Sequence, residues 1–466
     1  VSRMRLTGHP FIDIGLATLA ALAGVRTIEA LSQSDLQHDA ERLTYWYSSH
    51  NGARNYISTV FTNSHFTQPS MSQEQREAYA DRYLFAFSRD HAAADGEERC
   101  VFFQELAAVE RAYRQHVPLL NGERISNFSG MGRDGLPVSG LALLALHALP
   151  LGCLKCGGRL LGFHQQTAEP GASNLQLPLV RNIYKLNEQA LSMLPADEPG
   201  KFPDFGGRAR LRYVTQVINA RQNIANRGAS LDYITGYYFT NYGASAEMTI
   251  LRLDHTVMSF INRVLLEASD SWNRAVFLGW QRGKKGELES DDDSRIANSR
   301  RNFVYEELFN LPAYTSTRRF LKLLKTVRNW QLIAIFLEEI LLMEQERIDV
   351  YRRLGDLMTE YALNYENQPL SFFYKFSRAK NYTVLRGEIK SAAEKMYKKG
   401  TDTVLFTYDD FIAAFEHPSE RYSQWKLASD LIAIRMLENL HQANIDLSEL
   451  EEDTTELQDF EEKENA

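Results

Sequence analysis

The chain has 466 residues, 44 % of them hydrophobic and 24 % charged, with a formal net charge of -8. That length holds two or three domains with a core that needs neither disulfides nor metal, which excludes a small stapled scaffold. The ordinary composition excludes a wholly disordered chain and a polytopic membrane protein.

The acids are unevenly spread. Of 52 basic and 60 acidic residues, ten acids and Lys463 lie between Asp446 and Ala466, so this tail carries -9 and the remaining body +1. A near-neutral body with basic stretches can still hold a polyanion, because phosphate binding follows local potential and not total charge.

In chain order, Gly15 to Leu31 reads as a mostly buried helix, introduced by the breaker Gly8-His9-Pro10. Arg3 and Arg5 ahead of the apolar run Ile14 to Val25 imitate a secretory signal, but His9, Pro10 and Asp13 interrupt it, and Arg26 and Glu29 continue the helical pattern. At twelve residues the run is too short for a bilayer. Ser48 to Asn55 reads as a loop and Tyr56 to Phe61 as a strand, from turn-forming and β-branched residues respectively. Asn127 to Gly140, rich in glycine and turn formers, leads into an apolar helix over Leu141 to Leu149, followed by Cys153-Leu-Lys-Cys156-Gly-Gly.

Between Gly200 and Gly228, Lys201, Arg208, Arg210, Arg212, Arg221 and Arg227 face only Asp204, a window of +5. The Gly-Lys-Lys-Gly stretch and Ser290-Asp-Asp-Asp-Ser294 form the best linker, which places a domain boundary near residue 295. Beyond it the periodicity is helical. Apolar positions recur at three and four spacing from Thr317 to Tyr351, with further helices over Arg347 to Tyr365, Leu385 to Tyr397 and Tyr422 to Leu440. Another opens at Tyr408 with Asp409 and Asp410 in its first turn. The expected class is α+β: a mixed domain over 1–295, a helical bundle over 296–445, and a disordered acidic tail over 446–466.

No phosphate loop, His-Glu-x-x-His, Gly-x-Ser-x-Gly or dinucleotide fingerprint is present, and the eleven histidines are scattered. The expectation is a protein without an active site. Cys153 and Cys156 have the spacing of two zinc ligands, but a closed site needs two more, for which Cys100, His147 and His164 are the substitutes. Structural zinc, an ordinary knuckle turn and redox chemistry all stay open. Three cysteines argue against a disulfide framework and for a reducing compartment, the cytoplasm by default.

The basic stretches are more informative. Arg318, Lys322, Lys325 and Arg328 fall at helical offsets of four, three and three. Lys375, Arg378, Lys380, Arg386, Lys390, Lys395, Lys398 and Lys399 face only Glu388 and Glu394, a segment of +6 interleaved with Tyr374, Tyr382 and Tyr397. With Arg208, Arg210 and Arg212 they suggest contact with a phosphate backbone, against the alternative of solvated helix faces. Asn51, Arg54, Asn55, Asn127, Ser129 and Arg133 combine small neighbours with the side chains suited to base edges, and are the candidates for reading a DNA motif.

Three segments together resemble one family: Pro10-Phe-Ile-Asp-Ile-Gly-Leu-Ala17, Cys153-Leu-Lys-Cys156, and Phe406-Thr-Tyr-Asp-Asp-Phe411 with Phe415-Glu-His-Pro418. The chain is similar to the large subunit of type I-B CRISPR Cascade complexes, in the branch named for its Cys-x-x-Cys motifs, although it carries one such pair where the name implies two. The resemblance implies a non-catalytic subunit that reads the protospacer-adjacent motif on duplex DNA and helps open it, while guide pairing reads the rest. It implies as partners a guide crRNA, target double-stranded DNA, the backbone, 5′-handle-binding and small subunits, and a helicase-nuclease or a transposition protein, with no membrane. The helical C-terminal domain would resemble the family's small subunit, and Met343 offers an internal start for such a product. The rival from another class is a helical scaffold or adaptor that binds only proteins.

Overall fold

The computed structural model describes residues 4–120, 134–166, 176–196, 202, 204–206, 208–225, 233–242, 246–280, 302–400, 407–415 and 424–445. The chain is α+β, and its residues fall into two compact units.

The N-terminal unit is built around α1 (Pro10–Leu22), which is buried almost all round. Proline at its first turn lacks only an N–H that would go unpaired there. Asp13 accepts hydrogen bonds from Thr7 N (2.7 Å), Thr7 Oγ1 (2.8 Å) and Gly8 N (2.9 Å), so the carboxylate both fixes the entering chain and complements the helix dipole. The helix ends nine residues earlier than the periodicity suggests; a short 3₁₀ turn, Ile28–Ala30, takes up the remainder. Next come α2 (Gln33–Ser49), α3 (Asn51–Ile57) and α4 (Gln73–Tyr83); α2 and α4 each open with a capping box, from Ser32 with Asp35 and from Ser72 with Gln75.

The expected loop at Ser48–Asn55 is therefore largely helix, and the expected strand at Tyr56–Phe61 is the last two residues of α3 followed by a turn over Ser58–Val60. Tertiary contacts outweigh the local propensity. The Tyr56 hydroxyl lies 2.9 Å from Pro150 O and 2.6 Å from Cys153 O, and Asn187 Nδ2 donates to Leu151 O and Cys153 O at 2.8 Å. The helical turn of α3 delivers Tyr56 into that buried site.

Strands β1 (Glu110–Ala112) and β2 (Leu136–Val138) form a small antiparallel pair ahead of α5 (Gly140–Ala148), whose N-terminal amides Gly140 N and Leu141 N are held by Asp90 at 2.6 and 2.8 Å. Helices α1 and α5 pack backbone to backbone: a Cβ on Gly15 would lie 2.1 Å from Ala145 O. A four-stranded antiparallel sheet follows, in the order β3 (Leu154–Cys156), β4 (Arg159–Gln166), β5 (Tyr233–Thr240), β6 (Glu247–Leu251). One face packs on α1, with the Phe11 and Phe239 rings 4.7 Å apart. The unit is completed by α6 (Gln176–Met193) and by α7 (Ala209–Ala225), whose Tyr213 stacks on Phe163 of the other face and donates to Ile234 O.

The expected boundary near residue 295 lies outside the described residues, and the division among those described comes earlier, at Arg252 and Leu253. Helices α8 (His255–Glu267) and α9 (Ser269–Leu278) belong to the C-terminal unit because Phe260 sits edge-on to Trp272, Phe320 and Phe336 at 5.8, 5.9 and 5.7 Å. The unit continues with α10 (Phe303–Glu307), α11 (Tyr314–Val327), α12 (Trp330–Glu339), α13 (Gln345–Tyr365), α14 (Pro369–Ser377), α15 (Tyr382–Lys398), α16 (Tyr408–Phe415) and α17 (Gln424–Gln442). Asp356 and Arg435 join α13 to α17 at 2.6 Å, while Glu438 of α17 accepts from the Trp330 amide at the start of α12. The expected acidic tail lies outside the described residues. Among those described, no helix is long and apolar enough to cross a membrane.

Candidate nucleic-acid interface

Of the six residues expected to read a DNA motif, Asn127, Ser129 and Arg133 lie outside the described residues. The other three sit on α3, and two of them are used inside the fold. Arg54 donates through Nη1 to Ser48 O at 2.8 Å and through Nη2 to Asn51 Oδ1, so its planar fork braces the junction between α2 and α3. Burial and the nearby Arg76 lower its pKa. Only Asn55 is exposed. The chemistry that suits a base edge suits a backbone carbonyl equally, and the sequence does not distinguish the two.

The arginines of the first basic window also diverge. Arg208 precedes α7 and is half-buried, Arg210 is exposed, and Arg212 lies with its guanidinium 4.7 Å from the Phe205 ring. Arg221 is buried, and burial lowers the pKa of both Arg212 and Arg221. Local sequence charge here is partly interior charge.

Cys153 precedes β3 and Cys156 ends it, and both are buried free thiols. Burial pushes both thiols up, Cys156 to about 12. The suggested completing ligands are committed elsewhere: His147 to Leu143 O at 2.7 Å, His164 to Asp13 at 3.0 Å, and Cys100 to Ser139 at 3.3 Å. Among the described residues no group of three or more His, Cys, Asp or Glu is placed to hold a metal ion. The expected half-site therefore has no partner ligands there. The knuckle is closed in a different way. Gly157 and Gly158, at φ of 56° and 77°, aim their N–H groups at Asp204, 2.7 and 2.9 Å from its oxygens. A carboxylate on backbone amides thus clasps the hairpin to the segment before α7.

In the C-terminal unit, Lys322 is exposed and Lys325 half-buried on one side of α11; the side chain of Arg318 lies outside the described residues. The row expected to end at Arg328 is broken there. Arg328 adopts a left-handed conformation, φ 56°, and Asn329 then caps α12 through Leu332 N at 2.8 Å.

The strongest basic surface is on α14 and α15. Leu385, Ile389, Ala392 and Met396 bury one face of α15, which leaves Arg386, Lys390 and Tyr397 together on an exposed flank. Lys395 and Lys399 leave on the opposite flank, 5.7 and 5.0 Å from the rings of Tyr361 and Tyr365 of α13. The cations of this segment are thus divided between two flanks. Three of its lysines meet carboxylates: Lys375 with Glu388 at 2.8 Å, Lys390 with Glu394 at 3.7 Å and Lys395 with Glu366 at 2.7 Å. The Lys395 contact holds the Glu366 carboxyl below its ordinary range. Arg378, Lys380, Arg386, Lys398 and Lys399 are exposed and, among the described residues, have no carboxylate partner. Arg378 and Arg386 instead lie over aromatic rings, Tyr374 at 4.8 Å and Phe411 at 5.8 Å.

Tyr397 is 83 % exposed within this surface, and Tyr408 at the start of α16 is 77 % exposed. The sequence places Tyr397 among the cations but marks Tyr408 only as the opening of a helix. A large ring at a helix start beside two acids gives no periodic signal to mark it as exposed.

No protein-family model matches the chain, and the comparisons with curated proteins and with solved structures give no match.

Proposed function

We propose that this chain is the non-catalytic large subunit of an RNA-guided DNA-binding complex of the type I-B Cascade kind, acting in the cytoplasm. On this reading its C-terminal unit grips a nucleic-acid strand along α14 and α15. The observation that carries the proposal is the exposed set Arg378, Lys380, Arg386, Lys398 and Lys399 without carboxylate partners among the described residues, with Tyr397 standing out among them. Cations of this kind neutralise phosphates and release counterions, while an exposed ring offers a face on which a base can stack.

The partners on this reading are the guide crRNA, the target duplex, the other Cascade subunits, and a helicase-nuclease or transposition protein. Motif reading would fall to Asn55 and to the 127–133 segment, since Asn51 and Arg54 bond to each other.

The test is binding of the full chain, alone and in any complex it copurifies with, to labelled oligonucleotides over about 50 to 200 mM salt, where phosphate contacts give a steep fall in affinity. Arg386→Glu with Lys398→Glu should weaken binding and reduce the salt slope by about one for each phosphate contact removed. Copurification with a short RNA and repeated backbone subunits supports the reading. Elution without RNA, together with salt-insensitive association with a protein partner, overturns it in favour of the scaffold.

A further inference from the structure

His116 and His147 are fully buried in the N-terminal unit, and each has one ring nitrogen, Nε2, without a hydrogen-bond partner among the described residues. Buried polar atoms are nearly always paired, so two orphans in one aromatic cage call for a reason. Their rings are 6.4 Å apart. Around them stand Phe61 and Phe66, with Tyr79 and Tyr83 of α4.

The hydrogen bonds at the other ring nitrogens set the tautomers. His116 Nδ1 lies 3.2 Å from the Tyr113 amide, a donor, so in the neutral ring Nδ1 is bare and the proton is on Nε2. His147 Nδ1 lies 2.7 Å from Leu143 O, an acceptor, so there the proton is on Nδ1 and Nε2 is bare. The pair is neutral with opposite tautomers. A proton added to His116 must go to Nδ1, where it faces the Tyr113 N–H and breaks that bond. A proton added to His147 goes to Nε2, where no acceptor waits.

The other titratable and charged groups facing the cage give no relief. Arg82 of α4, paired with Glu110 at 3.2 Å, opposes a charge on His116, and His65 after α3 faces it as well. Tyr47 of α2 donates its hydroxyl to His147 O, and burial pushes its phenol up. Burial also pulls His147 down to about 4 and His116 well below its ordinary range.

The Tyr113 bond matters beyond the cage. Tyr113 O also accepts from the amides of His116 and Val117 at 2.8 and 2.9 Å, which closes a tight turn. That turn continues into a strap fixed to the end of β5: Arg114 Nη2 donates to Asn241 O at 2.7 Å, and Leu119 N to Asn241 Oδ1 at 3.0 Å.

We propose that His116 and His147 form an acid-operated latch: neutral, they hold the 113–119 strap and α4 against α5, and protonation releases the strap from the end of β5. Both histidines bind protons more weakly folded than open, so the latch is intact above the unfolded value of about 6.5 and weakens as pH falls below it.

Hydrogen exchange of the full chain, corrected for intrinsic rates, tests this from pH 7 to 4.5. Opening of residues 113–119 and 79–83 should rise by roughly tenfold per pH unit below 6.5 for each histidine that titrates. The β4 and β5 amides should rise less. In His116→Asn combined with His147→Phe, the amide oxygen can still accept from Tyr113 and the second ring remains in the cage, so the acid-dependent rise should vanish. Wild-type protection of 113–119 that stays constant across this range overturns the proposal whether or not the variant folds. So does a folded double variant that keeps the wild-type slope.

Discussion

The two units treat positive charge in opposite ways. In the N-terminal unit Arg54 braces a helix junction, Arg212 lies along Phe205 and Arg221 is buried. In the C-terminal unit the cations of α14 and α15 stand on the outside, and five of them lack a carboxylate partner among the described residues. The two basic windows carry similar net charge in the sequence, +5 and +6. Their fates differ because α7 covers a sheet face, whereas α15 buries only the narrow face formed by Leu385, Ile389, Ala392 and Met396. Charge density in a sequence therefore becomes exposed charge only where the helix has a face left over.

The sharpest way to break this contrast is to disturb the packing of each unit. Gly15→Ala forces a methyl against the Ala145 carbonyl, both atoms belonging to rigid helices, and should destabilise the N-terminal unit by about 3 kcal/mol or more. Thermal unfolding followed by hydrogen exchange should show the loss confined to that unit; an unchanged Tm would mean that α1 and α5 are not in contact as described. Tyr56→Phe removes donation to Pro150 O and Cys153 O, and should cost about 1–2 kcal/mol in denaturant titration.

The C-terminal unit should respond less. Glu438 is a buried acid of α17, and its change to Gln removes charge from the Arg435 contact but keeps an acceptor for the Trp330 amide. The cost should be about 1 kcal/mol in denaturant titration, with the loss confined to the C-terminal unit. Smallest of all is Gly387→Ala on α15. Among the described residues, no atom beyond the helix's own backbone and the two chain neighbours lies within 4 Å of the added Cβ, so the change should stabilise by about 0.5–1 kcal/mol through helix propensity and leave oligonucleotide affinity unaltered. A loss of affinity there would place the strand across Gly387 itself.

Much of the C-terminal unit is legible in the sequence. The helices over 345–365, 382–398 and 424–442 follow from helical periodicity within a few residues, and the start of the helix over 408–415 from the acids of its first turn. The N-terminal unit is less so. The apolar runs of α1 and α5 read as helices, although α1 starts at Pro10 and not at the expected Gly15, but α3 leaves no such record: Asn51 to Asn55 read as part of a loop, and Tyr56 and Ile57 as the start of a strand.

The candidate surface shows the same limit. That cations and tyrosines alternate from Lys375 to Lys399 is determined by the sequence alone, as are the α+β class and the two cysteines at knuckle spacing. Only the tertiary structure decided that Lys395 turns to Tyr361 and Glu366 while Arg386 and Lys390 share a flank with Tyr397. It alone decided that the knuckle closes on the Asp204 carboxylate, and that His116 and His147 meet in one cage. Period and composition are properties of neighbours along the chain; a hydrogen-bond partner far away in sequence is set by which faces the packed helices and strands leave to one another.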